Sequence, residues 1–297
     1  MELIVQKLSK TYGGIDALSQ VDLRFTPGVC GLLGPNGSGK TTLMRLLCGL
    51  ITPTCGTVEY NREKITGRSE AYRDILGYMP QELGFYQDLS AEQFLMYIAA
   101  VKGIEDKAQK SKVKHYLELV GLFEDRKKKI RGFSGGMKRR LGIAQAMINS
   151  PRVLILDEPT AGLDPKERVR FRNIIAQVAL NRIVIISTHI VSDIDSIADR
   201  VILLKKGRIA ADGKPDKLVS SIRDCVWHLT VRQAEVGTFE KSFKIANLRS
   251  EGGLVLLRIL SDVKPAPDAV PQRASLEDLY LWYFYDLIGN NGGEADE

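Results

Sequence analysis

The chain has no uncharged apolar stretch approaching the roughly 18 residues needed to cross a bilayer. If it serves a membrane, another chain supplies the span. Its start, Met1 to Gln6, lacks the basic region and apolar run of a signal peptide. Cysteine is scarce: Cys30, Cys48, Cys55 and Cys225 form no Cys-x-x-Cys and have no histidine at ligand spacing. They read as reduced, buried thiols of a cytosolic protein, which argues against a disulfide framework or a thiolate metal site. No internal repeat is found.

What is present suits a soluble globular protein. The 297 residues, 44% hydrophobic and 26% charged, allow one large domain, or a medium domain with a small one. The formal charge of +6 is unevenly placed, because residues 102–140 hold 13 Lys/Arg against 5 Asp/Glu. Such a patch suits nucleic acid, anionic headgroups or a solvated helical face, and charge alone does not choose among them.

Residues 34 to 42 read Gly-Pro-Asn-Gly-Ser-Gly-Lys-Thr-Thr, directly after a strand-like apolar run from Val29 to Leu33. Gly34, four intervening residues and then Gly39, Lys40 and Thr41 make a phosphate cradle, since backbone N–H groups must wrap the anion where a Cβ would collide. Lys40 then reaches the β- and γ-phosphates, and the Thr41 hydroxyl is placed for Mg²⁺. Leu43, Leu46, Leu47 and Leu50 follow at helical spacing, so the loop feeds a helix N-terminus whose partial positive charge favours an anion.

Ahead of this loop, Leu3 to Leu8 and Val21 to Phe25 alternate as a small antiparallel piece, and Thr57 to Tyr60 and Ile75 to Tyr78 read as further strands. Residues 88 to 149 turn helical, with a capping box at Ser90 and Gln93, and a second helix over Lys107 to Val120. From residue 151 the pattern alternates: strand Val153 to Leu156, helix Lys166 to Leu180, strand Ile183 to Ser187, helix Val191 to Ala198, strand Val201 to Leu204. Alternation of this kind implies a parallel sheet with crossover helices. The remainder differs: strands at Val226 to Val231 and Leu254 to Leu260 around a helix near Glu235 to Phe243, a proline-rich linker from Pro265 to Pro271, and a capped aromatic helix from Ser275 to Ile288. Leu276, Leu279, Tyr280 and Tyr283 share one face of that last helix. The acidic, glycine-rich end from Gly289 to Glu297 is expected to be disordered.

Two more motifs carry chemistry. The strand Val153 to Leu156 ends in Asp157 and Glu158; beside a phosphate loop the first would hold Mg²⁺ through water and the second would polarise the attacking water. Phe133-Ser134-Gly135-Gly136-Met137 opens a helix whose Leu141, Ala144 and Ile148 form an apolar face. It reads as an N-cap at Ser134 and, because two glycines bare the amides, as a second anion site. One chain does not need two γ-phosphate sites, but a dimer could use both on one nucleotide.

Over roughly residues 1 to 220 this combination resembles the ATP-binding cassette (ABC) family. The resemblance implies an α/β P-loop NTPase fold with a mostly parallel core sheet, a small antiparallel β subdomain and a helical subdomain at about 84–145. A small α+β extension would follow at 221–288. It also implies that two cassettes close head to tail on ATP and Mg²⁺, with Gly34, Pro35, Asn36, Gly37, Ser38, Gly39, Lys40, Thr41 and Thr42 of one facing Ser134, Gly135 and Gly136 of the other. Carried over by position, Asp157 and Glu158 are the strand carboxylates, and Asp164 lies in the loop that crosses the dimer interface. His189 resembles the switch histidine at the γ-phosphate, Gln81 the glutamine that senses Mg²⁺, and Tyr12 the aromatic on which adenine stacks. Independently of the resemblance, Asp164 followed by Pro165 is an N-cap with a first-turn proline. The signature departs from the usual family pattern at Phe133 and Met137, where Leu and Gln are commoner, while Ser134, Gly135 and Gly136 are intact.

The resemblance further implies an ATPase working with separate transmembrane permease subunits at the cytoplasmic face of the cell membrane. No nucleic acid partner is expected: only 94 positions separate Lys40 from Ser134, with no heptad run for a DNA-tethering coiled coil, and the chain holds one cassette, whereas ribosome-acting relatives usually hold two. The tail, with Ala274-Ser275-Leu276-Glu277-Asp278-Leu279-Tyr280-Leu281, looks like ATPases of bacterial exporters for drugs, peptide antibiotics or polysaccharides. The alternatives are an importer ATPase and a soluble ABC ATPase acting on ribosomes or DNA. Leu83, Phe85 and Tyr86 are candidate contacts to the membrane partner, with ordinary burial the competing reading.

Overall fold

The computed structural model describes residues 1–67 and 69–288. The segment Gly289 to Glu297 lies outside the described residues. The chain divides into two compact units, one ending at Ile209 and the other beginning at Ala210; the sequence places this boundary near 220.

The first unit opens with β1 (Leu3–Tyr12) and β2 (Ile15–Phe25), then β3 (Gly28–Leu33), α1 (Lys40–Leu47), β4 (Cys55–Tyr60) and β5 (Glu63–Lys64). It continues through α2 (Glu70–Ile75), β6 (Leu76–Met79), α3 (Ala91–Val101), α4 (Asp106–Leu119), α5 (Gly135–Met147), β7 (Val153–Asp157), α6 (Pro165–Val178), β8 (Ile183–Thr188) and β9 (Arg200–Lys205). Strand β10 (Arg208–Gly213) leads out of it. Two sheets form: an antiparallel one in the order β2-β1-β4-β5, and a six-stranded one in the order β10-β9-β3-β8-β7-β6. In the second, β3 lies parallel to β8 and β9, and β7 lies parallel to β6 and β8. Strands β7 and β8 are buried at every position, as strands covered on both faces must be. The apolar residues of β1, β2 and α1 share one core with Ile155, Ile185 and Ile202 of the parallel strands. Helices α3, α4 and α5 pack on one another, and the Ser90–Gln93 capping box forms as read from the sequence.

The second unit contains α7 (Pro215–Ser220), β11 (Val226–Arg232), α8 (Val236–Ser242), β12 (Lys244–Glu251), β13 (Leu254–Leu260), β14 (Val270–Pro271) and α9 (Leu276–Ile288). Its antiparallel sheet runs β12-β13-β11-β14 around a core that includes Leu229, Val231, Leu257 and Ile259. Leu276, Leu279 and Tyr280 of α9 are buried as the shared face predicts, whereas Tyr283 is only half-buried and Phe284 takes its place in the core.

Several elements depart from expectation. Helix α1 stops at Leu47 and Gly49 takes φ +67°, so Leu50 falls outside the helix and is 60% exposed. None of the four cysteines forms a disulfide, but only Cys30 and Cys48 are buried; Cys55 is exposed at the start of β4, and Cys225 is half-buried. The helix expected over Val191 to Ala198 is a single 3₁₀ turn at Val191–Asp193. Ile194 settles against β3 where a Cβ on Gly31 would lie 2.2 Å from its Cδ1, and Asp193 turns inward, so long-range packing overrides helical spacing.

Candidate functional site

The loop between β3 and α1 is shaped by glycines. Gly37 and Gly39 adopt φ +76° and +105°, and a Cβ on Gly34 would lie 2.5 Å from the Leu204 carbonyl oxygen. A side chain is excluded at Gly34, and the first amides of α1 have no side-chain cap, which makes an anion cradle. Tyr12, Ala17, Asn36, Gly37, Ser38, Gly39, Lys40, Thr41, Thr42, Gln81 and Glu158 line a cleft of about 470 Å³, a size suited to a nucleotide-scale ligand.

At its floor, Lys40 is 6% exposed and its Nζ donates to the carbonyls of Gly34 at 2.7 Å and Pro35 at 3.1 Å. The same Nζ stands 3.5 Å from Glu158 Oε1. Burial pushes the ammonium pKa below its ordinary value, and the charges of Glu158 and Asp157 only partly oppose this. Glu158 follows directly on β7 in a left-handed conformation, φ +48°, strained for a non-glycine residue. Its N–H donates to the Ser187 carbonyl and to Ser187 Oγ at 3.0 Å, which holds the turn. Its other oxygen, Oε2, lies 2.9 Å from His189 Nδ1.

Asp157 sits beneath this layer, fully buried. Its Oδ1 accepts from Ser187 Oγ at 2.6 Å and from Thr41 Oγ1 at 3.4 Å, while its Oδ2 is buried with no hydrogen-bond partner among the described residues. Tyr12 is 46% exposed, with Lys10 Nζ 5.0 Å from its ring centroid, so its ring borders the cleft without being core.

The other motif residues lie elsewhere. Ser134 caps α5 through Met137 N at 3.2 Å, and it and Gly135 are exposed. Asp164 caps α6 through Glu167 N at 2.8 Å, with Pro165 in the first turn. The two helix starts adjoin, since Arg140 of α5 stands 3.0 Å from Glu167 of α6. Neither Ser134, Gly135, Gly136 nor Asp164 lines the cleft. Of the candidate membrane contacts, Tyr86 is 57% exposed, while Phe85 packs edge-on against Phe94 and Leu83 packs over Gly142.

Sequence reasoning missed two participants. Ser187, which orients both carboxylate residues, was hidden at the end of an apolar strand; a polar Ser-Thr pair closing Ile183 to Ile186 was the available signal. Arg139 of α5 donates to the Gln81 carbonyl at 2.7 Å and was indistinguishable from neighbouring surface cations.

With this geometry in view, the comparisons with known proteins agree. The sequence profile described as "ABC transporter" matches residues 18–161. The chain is 36% identical over 240 residues to an uncharacterized ABC transporter ATP-binding protein, YxlF, of Bacillus subtilis, covering 80% of each chain. It is 31% identical over 279 residues to Nod factor export ATP-binding protein I of Paraburkholderia xenovorans, covering 92% of this chain and 91% of the relative. A solved dimeric structure of a bacterial ABC transporter cassette shares the fold, with a TM-score of 0.66 at 24% identity over 71% of this chain and 98% of that one. A phosphate loop whose lysine meets Glu158 in one cleft, with Asp157 bonded to Thr41 and His189 to Glu158, on this fold and with these relatives, places the chain in the ABC transporter family as an ATP-binding, ATP-hydrolysing subunit.

Proposed function

We propose that the chain powers an exporter: two cassettes close on two ATP molecules, each held between the phosphate loop of one and Ser134, Gly135 and Gly136 of the other, and closure drives separate membrane subunits. The observation that carries this reading is the division of the motifs. Lys40 and Glu158 line one cleft, with His189 bonded to Glu158, whereas the signature amides and Asp164 are presented on adjoining helix starts outside it. A cleft that holds half of the binding groups calls for a second chain to bring the rest.

Among the described residues no helix is long and apolar enough to cross a membrane, which fits a subunit attached to the cytoplasmic face of the cell membrane by its partners. Residues 1–220 would form the nucleotide-binding part, with the helical segment 84–145 and Tyr86 toward the permease, and 221–288 an accessory domain. Export is supported by the Nod factor export relative, 91% of which is covered over 279 residues.

In the proposed step Lys40 leaves the Gly34 and Pro35 carbonyls for the β- and γ-phosphates, since a phosphate oxygen is a stronger acceptor than a carbonyl. That frees Glu158 to accept a proton from the attacking water, with His189 fixing the carboxylate through Nδ1. The residues present also fit Mg²⁺: Asp157 keeps a partnerless buried oxygen, Thr41 Oγ1 is nearby, and these are hard oxygen donors beside a phosphate cradle. Thr41, Asp157 and Gln81 would hold it. When bound it supplies positive charge to the transferring phosphate.

The test is Glu158→Gln. It should bind ATP, lose on the order of 10²-fold or more in turnover, and sediment as an ATP-dependent dimer. Hydrolysis at the wild-type rate, or a monomer at saturating ATP, would count against the reading.

A further inference from the structure

Asp193 is a buried carboxylate that the proposed step leaves without a task. It is 1% exposed and lies between the two segments that carry the candidate catalytic groups. Its Oδ2 accepts from Thr160 Oγ1 and, at 3.4 Å, from Thr188 Oγ1. Its Oδ1 stands 3.7 Å from Arg168 Nη1 and has no hydrogen-bond partner among the described residues. Thr160 comes shortly after Glu158, and Thr188 directly precedes His189. Arg168 extends the chain of contacts by donating from Nε to the Leu163 carbonyl at 3.1 Å, next to Asp164. Arg172 holds the same turn from α6 through the Ser192 carbonyl at 2.9 Å.

One charge therefore ties three places together: the turn after Glu158, the loop before Asp164 and the strand end before His189. A buried carboxylate is costly unless it is well partnered, and this one is only partly so. It is not a local cap either, since its hydrogen bonds among the described residues go to the Thr160 and Thr188 side chains and not to the amides of its own turn. Such an arrangement sets the relative position of loops better than it stabilises the turn it belongs to.

We propose that Asp193 is a positioning residue for ATP hydrolysis: it locks the Glu158–Asp164 loop and the His189 strand end into one unit, so that the Glu158–His189 contact follows the loop presented to the second cassette. The inference rests on the reading of Glu158 and His189 given above. It predicts a loss in turnover without a loss in nucleotide binding, because the hydrogen bonds and ion pair of Asp193 go to Thr160, Thr188 and Arg168 and not to the phosphate loop.

The experiment is steady-state ATP hydrolysis and calorimetric ATP binding on the full chain. Asp193→Ala should lower kcat on the order of 10²-fold, the scale of a small misplacement of reacting groups, and leave KM and ATP affinity within about twofold. Asp193→Asn should fall between, because its amide oxygen still accepts one threonine hydroxyl while the charge facing Arg168 is gone. Thr188→Val, nearly isosteric, cuts the arm to His189 together with the hydroxyl's bond from Ile190 N, and leaves the Thr160 and Arg168 arms intact. It should lower kcat in the wild type and add little to His189→Ala, since both act through one contact. Wild-type kcat in Asp193→Ala, additive losses for Thr188→Val with His189→Ala, or loss of ATP affinity in step with kcat would overturn the proposal. Glu158→Gln separates the two readings: full hydrolysis there removes the base assignment, whereas an inactive Glu158→Gln beside a fully active Asp193→Ala removes the positioning role alone.

Discussion

Each unit contains a buried ion pair, and the two are built in opposite ways. In the second unit Arg258 and Asp278 meet through two bonds of 2.7 Å, Arg258 also donates to the Arg273 carbonyl, and Asp278 accepts from Ser275 N and Oγ. Burial pushes the Asp278 carboxyl up, yet the bonds from Arg258 and Ser275 outweigh it and hold its pKa below the ordinary value. The bond to Asp278 raises the Arg258 pKa in turn. In the first unit Lys40 and Glu158, both 6% exposed, stand 3.5 Å apart, and burial has the upper hand over the lysine. A saturated pair holds a fold together; an under-satisfied pair beside orphan acceptors such as Asp157 Oδ2 is a site waiting for a ligand.

The contrast can be broken from either side. Asp278→Ala removes both bonds to the half-buried Arg258 and those from Ser275, and should destabilise the second unit by about 1.5–3 kcal/mol, seen as early denaturant unfolding of that unit while ATP affinity in the first is kept. Lys40→Ala should weaken ATP binding by roughly 10- to 100-fold, the worth of about 1.5–3 kcal/mol of charged hydrogen bonding. Unaltered ATP affinity would remove Lys40 from the cradle. The smallest effect is a pH dependence. Burial, aided by the charge of Arg258, lowers the His228 pKa, so the unfolded chain binds the proton more readily than the folded one. Stability of the second unit should fall as pH drops through about 6.5, the ordinary histidine value, toward the depressed folded one. His228→Gln should flatten that slope in thermal melts.

What the sequence made legible follows the range of the forces involved. Local rules located the phosphate loop, the Ser90–Gln93 box and the Asp164 cap, because each is set by residues within a few positions. They failed at Val191 to Ala198, where helical spacing is real but Asp193 and Ile194 are drawn off by Thr160, Thr188 and Gly31 from distant parts of the chain. Strand β12 went unseen because it is an edge strand, mostly exposed and polar, with no alternation to detect. The Arg258–Asp278 pair was half legible: Ser275 and Asp278 have the spacing of a helix cap, but nothing local announces an arginine on β13. The site was the more readable region because its chemistry needs particular residues at particular spacings, whereas a structural ion pair needs only to meet in space.

The central claim is that the cleft at Gly34 to Thr42 is half of an ATP site completed by Ser134, Gly135 and Gly136 of a second chain. Mixing a Lys40→Ala chain with a Ser134→Arg chain tests it most directly, since each alone spoils every site while a mixed pair contains one intact site. The account predicts two inactive proteins whose mixture recovers roughly a quarter of the wild-type hydrolysis rate under random pairing. A mixture as inactive as its components, with pairing verified by sedimentation, would contradict it.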